Sequence, residues 1–499
     1  MQVLADGGNA IDAIVAAALT AAVAAPASAG IGGFGMCAVI AHEGGRRLIA
    51  IDGNSAAPAA MRADTFRPGP DGKLPEGFNK TQWLSSTGWF SAGVPGVLAG
   101  LQLALDRCGT RRFGDLVQPA IALARRGFPW PAGLAAAIRT RQALFQKDPG
   151  SRKLFFSDGK PLAAGELFRN PELAEMLTRL AKANSVEPFY HGDIGRLIAE
   201  GFQKNGGLVT VKDMAAYEAR PVAPLTLAWG GHVIHTAPLT AGGLSVLQML
   251  HAMQALNWEE MPAGLPRTHA RIEAMRLAWR DRLTLLGDPE FAKVPVTRLL
   301  SEDYARESAA QITAAVKAGK LLTHTTRPRW QTGTINLSAA DRHGNFAAMT
   351  LSHGNGFGAC VTVEGLGLTL GHGMSRFDPN PEHPNAPGPG KRPLHNMVPT
   401  VVTRDGKAVL AVGGTGGRKI PNALLEVLTQ FVVLGQPLAA AIAAPRLHTE
   451  GDVRLSLEKS WPATESDGLR RLGYTVNAAG SANMSAVALE KGVLHKARR

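Results

Sequence analysis

Residues 332 to 358 read TGTINLSAADRHGNFAAMTLSHGNGFG and contain two alternating segments separated by a polar turn. Small or apolar residues alternate with polar residues from Thr334 to Ala340, and a second alternating segment runs from Phe346 to Ser352. The residues between them, Asp341 to Asn345, include Asp, Gly and Asn, which are common in turns. Two segments of period two on either side of such a turn predict a β-hairpin.

Thr334 stands at the head of the first predicted strand, directly after Gly333. A Thr hydroxyl needs a base within hydrogen-bond reach, and the α-amine of the same residue becomes available once the preceding peptide bond is broken. Such an amine has a pKa of about 7.7 to 8, close to neutral pH. Gly333 suits a cleavage site because glycine tolerates strained backbone and leaves its carbonyl open to attack. Thr at a strand position is, however, also typical of ordinary half-buried sheet.

A set of residues in and after this hairpin resembles the signature of the γ-glutamyltransferase family of N-terminal nucleophile hydrolases: Thr334, Ser338, Gly344-Asn345, Thr350, Ser352 and Phe357-Gly358. The order of segments resembles the family from Gly7 to about Ala488. The resemblance implies an α+β fold, the four-layer αββα sandwich. It also implies self-cleavage between Gly333 and Thr334, with Thr334 as the nucleophile and Ser352 orienting its hydroxyl. The products would be a large subunit, 1–333, and a small subunit, 334–499, held together as one domain.

A second glycine-rich stretch, Gly413 to Pro421, joins a predicted strand to a predicted helix. Adjacent backbone N–H groups near a helix N-terminus can stabilise an oxyanion, although such a stretch can also be a simple tight turn. A nucleotide-binding loop is a further alternative, but the stretch lacks the third spaced glycine and the Lys-Ser/Thr pair of such loops. The resemblance favours the first interpretation and implies that Gly416 and Gly417 form the oxyanion hole.

The residues that would recognise a γ-glutamyl group differ from the family pattern. Asn54 stands where the resemblance implies an Arg for the α-carboxylate, and His395 and Asn396 stand in place of two Ser. Arg376 replaces the Asp that would hold the α-ammonium, and Arg376 would repel an ammonium. We therefore expect these four residues to bind an acyl group without an α-ammonium, such as a dicarboxylic monoamide. In addition, Asn336 replaces the His that the resemblance implies two residues after the nucleophile.

Composition excludes several other classes of protein. The 499 residues include 53 Lys and Arg against 40 Asp and Glu, but the basic residues are scattered, and short clusters such as Lys391-Arg392 and Arg418-Lys419 are typical of solvated surface. We therefore expect no nucleic-acid partner. Cys37, Cys108 and Cys360 are widely spaced and are predicted to be buried free thiols. The sequence predicts no metal site and no cofactor.

The Ala-rich run from Ala10 to Ala25 superficially resembles a secretion signal, but no Lys or Arg precedes it. We interpret it as part of a buried helix, residues 3 to 24. No stretch is long enough to span a membrane. The sequence as given predicts a cytoplasmic protein, or a periplasmic or secreted one if an N-terminal segment is missing.

Residues Leu321 to Gln331 are mostly polar and predict an exposed tether before Thr334. Together these features predict an autoprocessed amide hydrolase or acyltransferase that acts on a small-molecule amide or peptide-like substrate through an acyl-enzyme. The alternative that remains is a family relative without catalytic activity, which binds a ligand or serves as an assembly subunit.

Overall fold

The computed structural model of the chain describes residues 1–67, 87–324 and 333–499. In this part of the chain, two large sheets are built from strands β1 Gly35–His42, β2 Arg47–Asn54, β3 Arg220–Val222, β4 Leu225–Trp229, β5 His232–Thr236, β6 Ile335–Ala340, β7 Phe346–Ser352, β8 Thr400–Arg404, β9 Lys407–Thr415, β10 Asn483–Glu490 and β11 Val493–Arg498. The first sheet has the order β6-β7-β1-β2-β3, and the second has the order β11-β10-β9-β8-β5-β4. Neighbouring strands in both sheets are antiparallel.

Strand β1 shows how the two sheets stack. Met36, Ala38 and Ile40 belong to a hydrophobic cluster shared with helices, whereas Cys37, Val39 and Ala41 pack in a different cluster with Val401 of β8 and Ala411 of β9. Because successive side chains of a strand point to opposite faces, one face of the first sheet is covered by helices and the other by the second sheet.

Helices cover the outer face of each sheet. The longer ones are α1 Ala10–Ala24, α2 Val97–Cys108, α3 Gln118–Arg126, α4 Pro171–Ala183, α5 Asp193–Lys204, α6 Gly243–Ala255, α7 Leu265–Leu285, α8 Glu302–Ala318 and α9 Lys419–Leu428. Helices α1 to α5 share the hydrophobic cluster of the first sheet, and α6 to α9 share that of the second. The predicted four-layer αββα sandwich is confirmed. None of the helices that the structure describes is long and apolar enough to cross a membrane.

The remaining elements are short, apart from the helix Ala463–Leu472. The helices and helical turns are Gln2–Ala5, Trp89–Ser91, Phe113–Leu116, Ala132–Arg139, Gln142–Lys147, Pro149–Phe155, Glu187–Tyr190, Val211–Ala215, Trp258–Glu260, Val296–Leu299, Gly373–Arg376, Thr429–Val433, Leu438–Ala443 and Ala463–Leu472. The strands are Phe128–Pro129, Phe156–Ser157, Lys160–Pro161, Leu167–Phe168, Thr362–Val363, Leu368–Thr369, Leu447–His448, Arg454–Leu457 and Thr475–Ala478.

The prediction of one helix from residue 3 to 24 is wrong at its start. The chain forms a short turn of helix, breaks, and begins α1 at Ala10. Gly7 has a φ of 83°, and Asn9 caps α1 by accepting hydrogen bonds from the backbone N–H groups of Ile11 and Asp12. Asp12 in turn accepts a hydrogen bond from the Asn9 backbone, so this capping box sets the helix start.

The predicted hairpin is confirmed as β6 and β7, which pair from Ile335 with Leu351 to Ala340 with Phe346. Asp341 organises the turn: its Oδ1 accepts hydrogen bonds from the N–H groups of His343 and Asn345, at 2.9 and 3.1 Å. Its Oδ2 accepts the N–H of Ala10 at 2.9 Å, which ties the turn to the first residue of α1.

Two further expectations concern the cysteines and the tether. All three cysteines are buried free thiols, as predicted. Of the predicted tether, residues 321–324 are described and only Thr323 is exposed. The remainder, from residue 325 onward, lies outside the described residues.

Candidate active site

Thr334 and Ser352 lie side by side at one end of the first sheet. They flank the last pair of the hairpin, Ile335 with Leu351, so the backbone register places their side chains together. Thr334 Oγ1 is 3.2 Å from Ser352 Oγ, and both residues are buried. Ser352 Oγ also accepts a hydrogen bond from the backbone N–H of Gly354 at 2.9 Å, which fixes the orientation of the serine.

Both hydroxyls converge on the carbonyl oxygen of Gly333. Thr334 Oγ1 donates to it at 2.6 Å, and Ser352 Oγ donates to it as well. Gly333 has a φ of 94°, and a Cβ there would come within 2.9 Å of the Asn355 backbone. Glycine is therefore required for this backbone conformation, and the peptide before Thr334 is held where the Thr hydroxyl reaches it.

The glycine turn predicted to hold an oxyanion lies at the end of β9 in the second sheet. Thr415, the last residue of β9, accepts a hydrogen bond on Oγ1 from the backbone N–H of Asn336 at 3.0 Å. This contact brings the turn beside the strand that Thr334 precedes. The Asn336 side chain strengthens the same junction, because it hydrogen-bonds with Thr350 Oγ1 at 2.9 Å and Ser485 Oγ at 2.8 Å.

Gly416 and Gly417 adopt conformations that favour glycine, with φ of 148° and 61°. A Cβ on Gly416 would lie 2.8 Å from the Cα of Ala482. Within the described residues, neither of their N–H groups donates a backbone hydrogen bond. The two donors precede α9, whose N-terminus adds a favourable dipole for negative charge.

Asn54 is fully buried and is already engaged with the protein. Its side-chain amide donates to Thr240 Oγ1 at 2.8 Å and to the Pro393 carbonyl at 2.7 Å. Its Oδ1 has no hydrogen-bond partner. Asn54 thus fixes the loop before His395, and toward a ligand it can act only as an acceptor.

His395 and Asn396 are buried and lie against an arginine of α7 that the sequence analysis did not single out. Arg282 Nη2 donates to the His395 carbonyl at 2.7 Å and to Asn396 Oδ1 at 3.2 Å. The His395 ring packs edge-on against Phe34, with ring centroids 6.2 Å apart. Burial lowers the pKa of His395 to about 3, so its imidazole is neutral.

A short series of contacts connects Arg376 to Ser352 and Thr334. Its Nη2 donates to the carbonyl of Gly354 at 3.1 Å, and Gly354 is the residue whose N–H holds Ser352. The guanidinium stacks over Phe34, with its Cζ 4.4 Å from the ring centroid. Burial, followed by the charge of Arg418, lowers the pKa of Arg376 to about 9.

The interpretation of the short basic clusters as solvated surface is wrong for three of their members. Lys391, Arg392 and Arg418 are buried. Arg392 pairs with Asp52 at 2.7 Å, and Arg418 pairs with Glu450 at 2.7 Å. Each of the two arginines also lies over an aromatic ring. These rings come from distant segments of the chain, so the local sequence does not reveal the contacts.

Two histidines border the same region. His353 and His372 are fully buried, and His353 Nδ1 and His372 Nε2 have no hydrogen-bond partner. Burial lowers the pKa of His353 to about 3 and that of His372 well below its usual value. Both rings are closely packed: a Cβ on Gly30 would overlap the His353 ring, and one on Gly354 would overlap His372, whose Nδ1 is hydrogen-bonded with the Ser375 hydroxyl.

Comparison with known proteins shows similarity along almost the whole chain. The family model described as gamma-glutamyltranspeptidase matches residues 1–495. A glutathione hydrolase proenzyme from Pseudomonas sp. (strain A14) is 34% identical over 465 residues, covering 90% of this chain and 79% of the relative. An acylase ACY 1 proenzyme from Pseudomonas sp. (strain V22) is 32% identical over 479 residues, covering 95% and 84%.

Among solved structures, cephalosporin acylase from Bacillus halodurans superimposes with a TM-score of 0.87 at 26% sequence identity, over 99% of this chain and 90% of that one. The family match includes the hairpin and the glycine turn, and it gives no support to a nucleotide-binding protein. The chain therefore belongs to the γ-glutamyltranspeptidase family and is a γ-glutamyltransferase-like member of the N-terminal nucleophile hydrolases.

Proposed function

We propose that the chain is an autoprocessed amide hydrolase or acyltransferase in which Thr334 is the nucleophile. The observation that supports this proposal is the convergence of the Thr334 and Ser352 hydroxyls on the Gly333 carbonyl. The Ser352 hydroxyl on the carbonyl oxygen draws electron density from its carbon and stabilises the oxyanion that forms when the Thr334 hydroxyl attacks that carbon. The Thr334 hydroxyl belongs to the residue that directly follows the peptide bond to be cut, and it contacts the carbonyl of that bond.

In processing, Thr334 Oγ1 attacks the Gly333 carbonyl carbon, and the C–N bond to Thr334 breaks. The hydroxyl proton passes to the departing nitrogen, and the Gly333 acyl group moves to Oγ1 as an ester. Water then hydrolyses the ester, which leaves a carboxylate on Gly333 and a free amine and hydroxyl on Thr334. The products are the proposed large subunit, 1–333, and small subunit, 334–499, which remain together because β6 and β7 are part of the sheet that contains β1, β2 and β3.

In turnover, the Thr334 hydroxyl attacks the carbonyl of a substrate amide. The free α-amine of Thr334 accepts the hydroxyl proton and delivers it to the leaving amine. The N–H groups of Gly416 and Gly417 stabilise the oxyanion, and Ser352 orients the Thr hydroxyl. Water or a second amine then takes the acyl group from the enzyme. The names of the relatives, glutathione hydrolase and acylase, support a small-molecule amide or peptide-like substrate.

Denaturing electrophoresis with mass spectrometry of the purified protein tests the proposal. We expect two fragments whose masses place the cut between Gly333 and Thr334. Thr334→Ala should remain a single chain and be inactive, whereas Thr334→Ser, which keeps a hydroxyl, should still cleave. After exposure to a panel of amides, the added acyl mass should appear on the small fragment. A wild-type chain that stays whole and inactive, like Thr334→Ala, would contradict the proposal.

A further inference from the structure

The loop from His448 to Asp452 lies against the start of α9, the helix that follows the glycine pair. Arg418, the residue before α9, pairs with Glu450 of this loop, with Nε and Oε2 2.7 Å apart. Asn422, one turn further along, donates through Nδ2 to the Thr449 carbonyl at 2.8 Å. Arg418 and Asn422 are buried. The loop therefore holds the start of α9 at two neighbouring points.

Trp279 of α7 completes this junction. Its indole Nε1 donates to Asn422 Oδ1 at 2.7 Å, and the Arg418 guanidinium lies over its ring, with Cζ 4.8 Å from the centroid. The loop has an internal hydrogen bond of its own, because Thr449 Oγ1 donates to the Asp452 carbonyl at 3.1 Å. The Arg418 guanidinium is thus placed between the carboxylate of Glu450 and an aromatic face.

Arg418 also connects the glycine pair to α9. Gly416 and Gly417 have φ of 148° and 61°, and a glycine pair has a wide choice of backbone conformations to lose when a turn is fixed. The residues on either side therefore decide where the two N–H groups lie. On the strand side, Thr415 contacts β6. On the helix side, the residue next to the pair is Arg418, which Glu450 holds.

Resting on the proposed function, we infer that Glu450 is a positioning residue for the oxyanion site, and that it acts through Arg418 on the N–H groups of Gly416 and Gly417. The carboxylate of Glu450 balances a guanidinium that is buried. A buried cation that loses its carboxylate is strongly destabilised where it lies. Movement of Arg418 from its place over Trp279 would carry the adjoining backbone, and with it the two donors, away from the oxyanion.

Kinetics of Glu450→Gln test the inference, because this change removes the charge and keeps the size of the side chain. The oxyanion exists in the transition state and not in the bound substrate, so displaced donors lower kcat and leave KM nearly unchanged. For the acyl anilide that the wild type turns over fastest, we expect kcat to fall about tenfold or more. Equal kcat in wild type and Glu450→Gln would overturn the inference.

Asp452→Asn is the matched control. It removes one negative charge from the same loop, but the Asp452 carboxylate pairs with the exposed Arg454 and not with the start of α9. We expect this variant to keep the kcat of the wild type. A fall as large as that of Glu450→Gln would assign the effect to the charge of the loop in general and would overturn the role of the Arg418 pair.

A double-mutant cycle tests whether Glu450 acts through Arg418. In a chain that already carries Arg418→Gln, the ion pair is absent, so Glu450→Gln should cause no further loss of kcat. Losses that multiply in the double variant would show that the two residues act independently, and this result would overturn the inference.

Self-cleavage distinguishes positioning from a general structural role. In cleavage the oxyanion forms on the Gly333 carbonyl, which the Ser352 hydroxyl contacts. Glu450→Gln should therefore cleave at the wild-type rate while its turnover of the anilide falls. Equal slowing of cleavage and turnover would indicate a general loss of structure and would overturn the positioning role.

Hydrogen exchange separates this inference from the proposed function. The N–H groups of Lys419 and Ile420 donate to the carbonyls of Gly416 and Gly417, so the peptide that contains these four residues reports on the turn. Glu450→Gln should speed exchange in this peptide, and Asp452→Asn should not. Faster exchange in a protein that turns over no amide would contradict the proposed function and leave the hold of Glu450 on the turn supported. An active wild type with unchanged exchange in Glu450→Gln would overturn the inference alone.

Discussion

The backbone N–H of Asn336 donates to Thr415 Oγ1 at 3.0 Å and thereby joins strand β6, which follows Thr334 in one sheet, to the glycine turn of the other sheet. Asn336 lies two residues after Thr334, and Thr415 immediately precedes Gly416. This hydrogen bond across the sheet interface, together with the side-chain contact of Asn336 with Ser485, helps to position the proposed oxyanion donors relative to the proposed nucleophile.

Replacement of Thr415 with Val keeps the shape of the side chain but removes this acceptor. The N–H of Asn336 is then left without its partner, and the glycine turn loses its direct contact with the strand. We expect kcat for amide substrates to fall about tenfold, since such a loss costs about 1–3 kcal/mol. Thr415→Ser, which keeps the hydroxyl, is the control. Equal kcat in wild type and Thr415→Val would show that the contact does not position the turn.

Gly333→Ala should slow self-cleavage. Gly333 has a φ of 94°, which is unfavourable for Ala, and the added Cβ would approach the Asn355 backbone to 2.9 Å. Moving this residue displaces its carbonyl from the hydroxyls of Thr334 and Ser352. We expect a cleavage rate reduced about tenfold or more, measured by electrophoresis of samples taken after synthesis in a cell-free system.

Gly356→Ala provides the matched control for that variant. Gly356 lies in the same region, but a Cβ there would come no closer than 3.7 Å to Arg141. We expect it to cleave at the wild-type rate. Cleavage of Gly333→Ala that is as fast as that of Gly356→Ala, or faster, would contradict the role given to the Gly333 conformation.

The fold could be predicted because the evidence for it lies in short sequence patterns and in the order of segments along the chain. The period-two pattern from Thr334 to Ser352 predicts the hairpin, and the family resemblance implies the αββα sandwich; the pairing of the strands and the two sheets confirm both. The early helix was only partly predicted. Its Ala-rich run obscured the capping box of Asn9 and Asp12, although these residues are visible in the sequence.

The charged surroundings of the site were less predictable because they arise from residues far apart in the chain. Arg282 lies in the last turn of a long helical pattern. Arg418 resembles a surface residue in the sequence, but in the fold Trp279 and Glu450 pack against it. The roles of Thr334, Ser352, Gly416 and Gly417 stay predictions, as do those of the four substrate residues. Asn54 illustrates the difficulty: its position in a strand gave no sign that both amide hydrogens would bind within the protein.

Asp341→Ala should destabilise the fold, although Asp341 is not one of the proposed substrate-binding residues. Asp341 accepts hydrogen bonds from three residues of its own turn and of α1, namely His343, Asn345 and Ala10. Its loss leaves buried N–H groups without acceptors, and we expect the free energy of unfolding to fall by about 3 kcal/mol. Urea denaturation measures the change. Asp467→Ala removes only an exposed ion pair with Arg470 and should cost less than about 1 kcal/mol; equal losses in the two variants would contradict the role of Asp341.

The pH dependence of stability should reflect the three buried histidines of the site, His353, His372 and His395. Burial lowers the pKa of each in the folded protein, to about 3 for His353 and His395. The unfolded chain, with a His pKa of about 6.5, therefore binds more protons than the folded chain as pH falls from about 6.5 toward 3, and stability falls over that window. Each histidine contributes about 1.4 kcal/mol per pH unit at full effect.

His353→Gln should thus reduce the slope of the unfolding free energy with pH, between pH 4.5 and 6, by the amount that corresponds to about one bound proton. Urea denaturation at several pH values measures this slope. The slope is compared rather than the absolute stability, so a general loss of packing does not affect the outcome. An unchanged slope in His353→Gln would mean that this imidazole is protonated in the folded protein, contrary to its burial against Gly30.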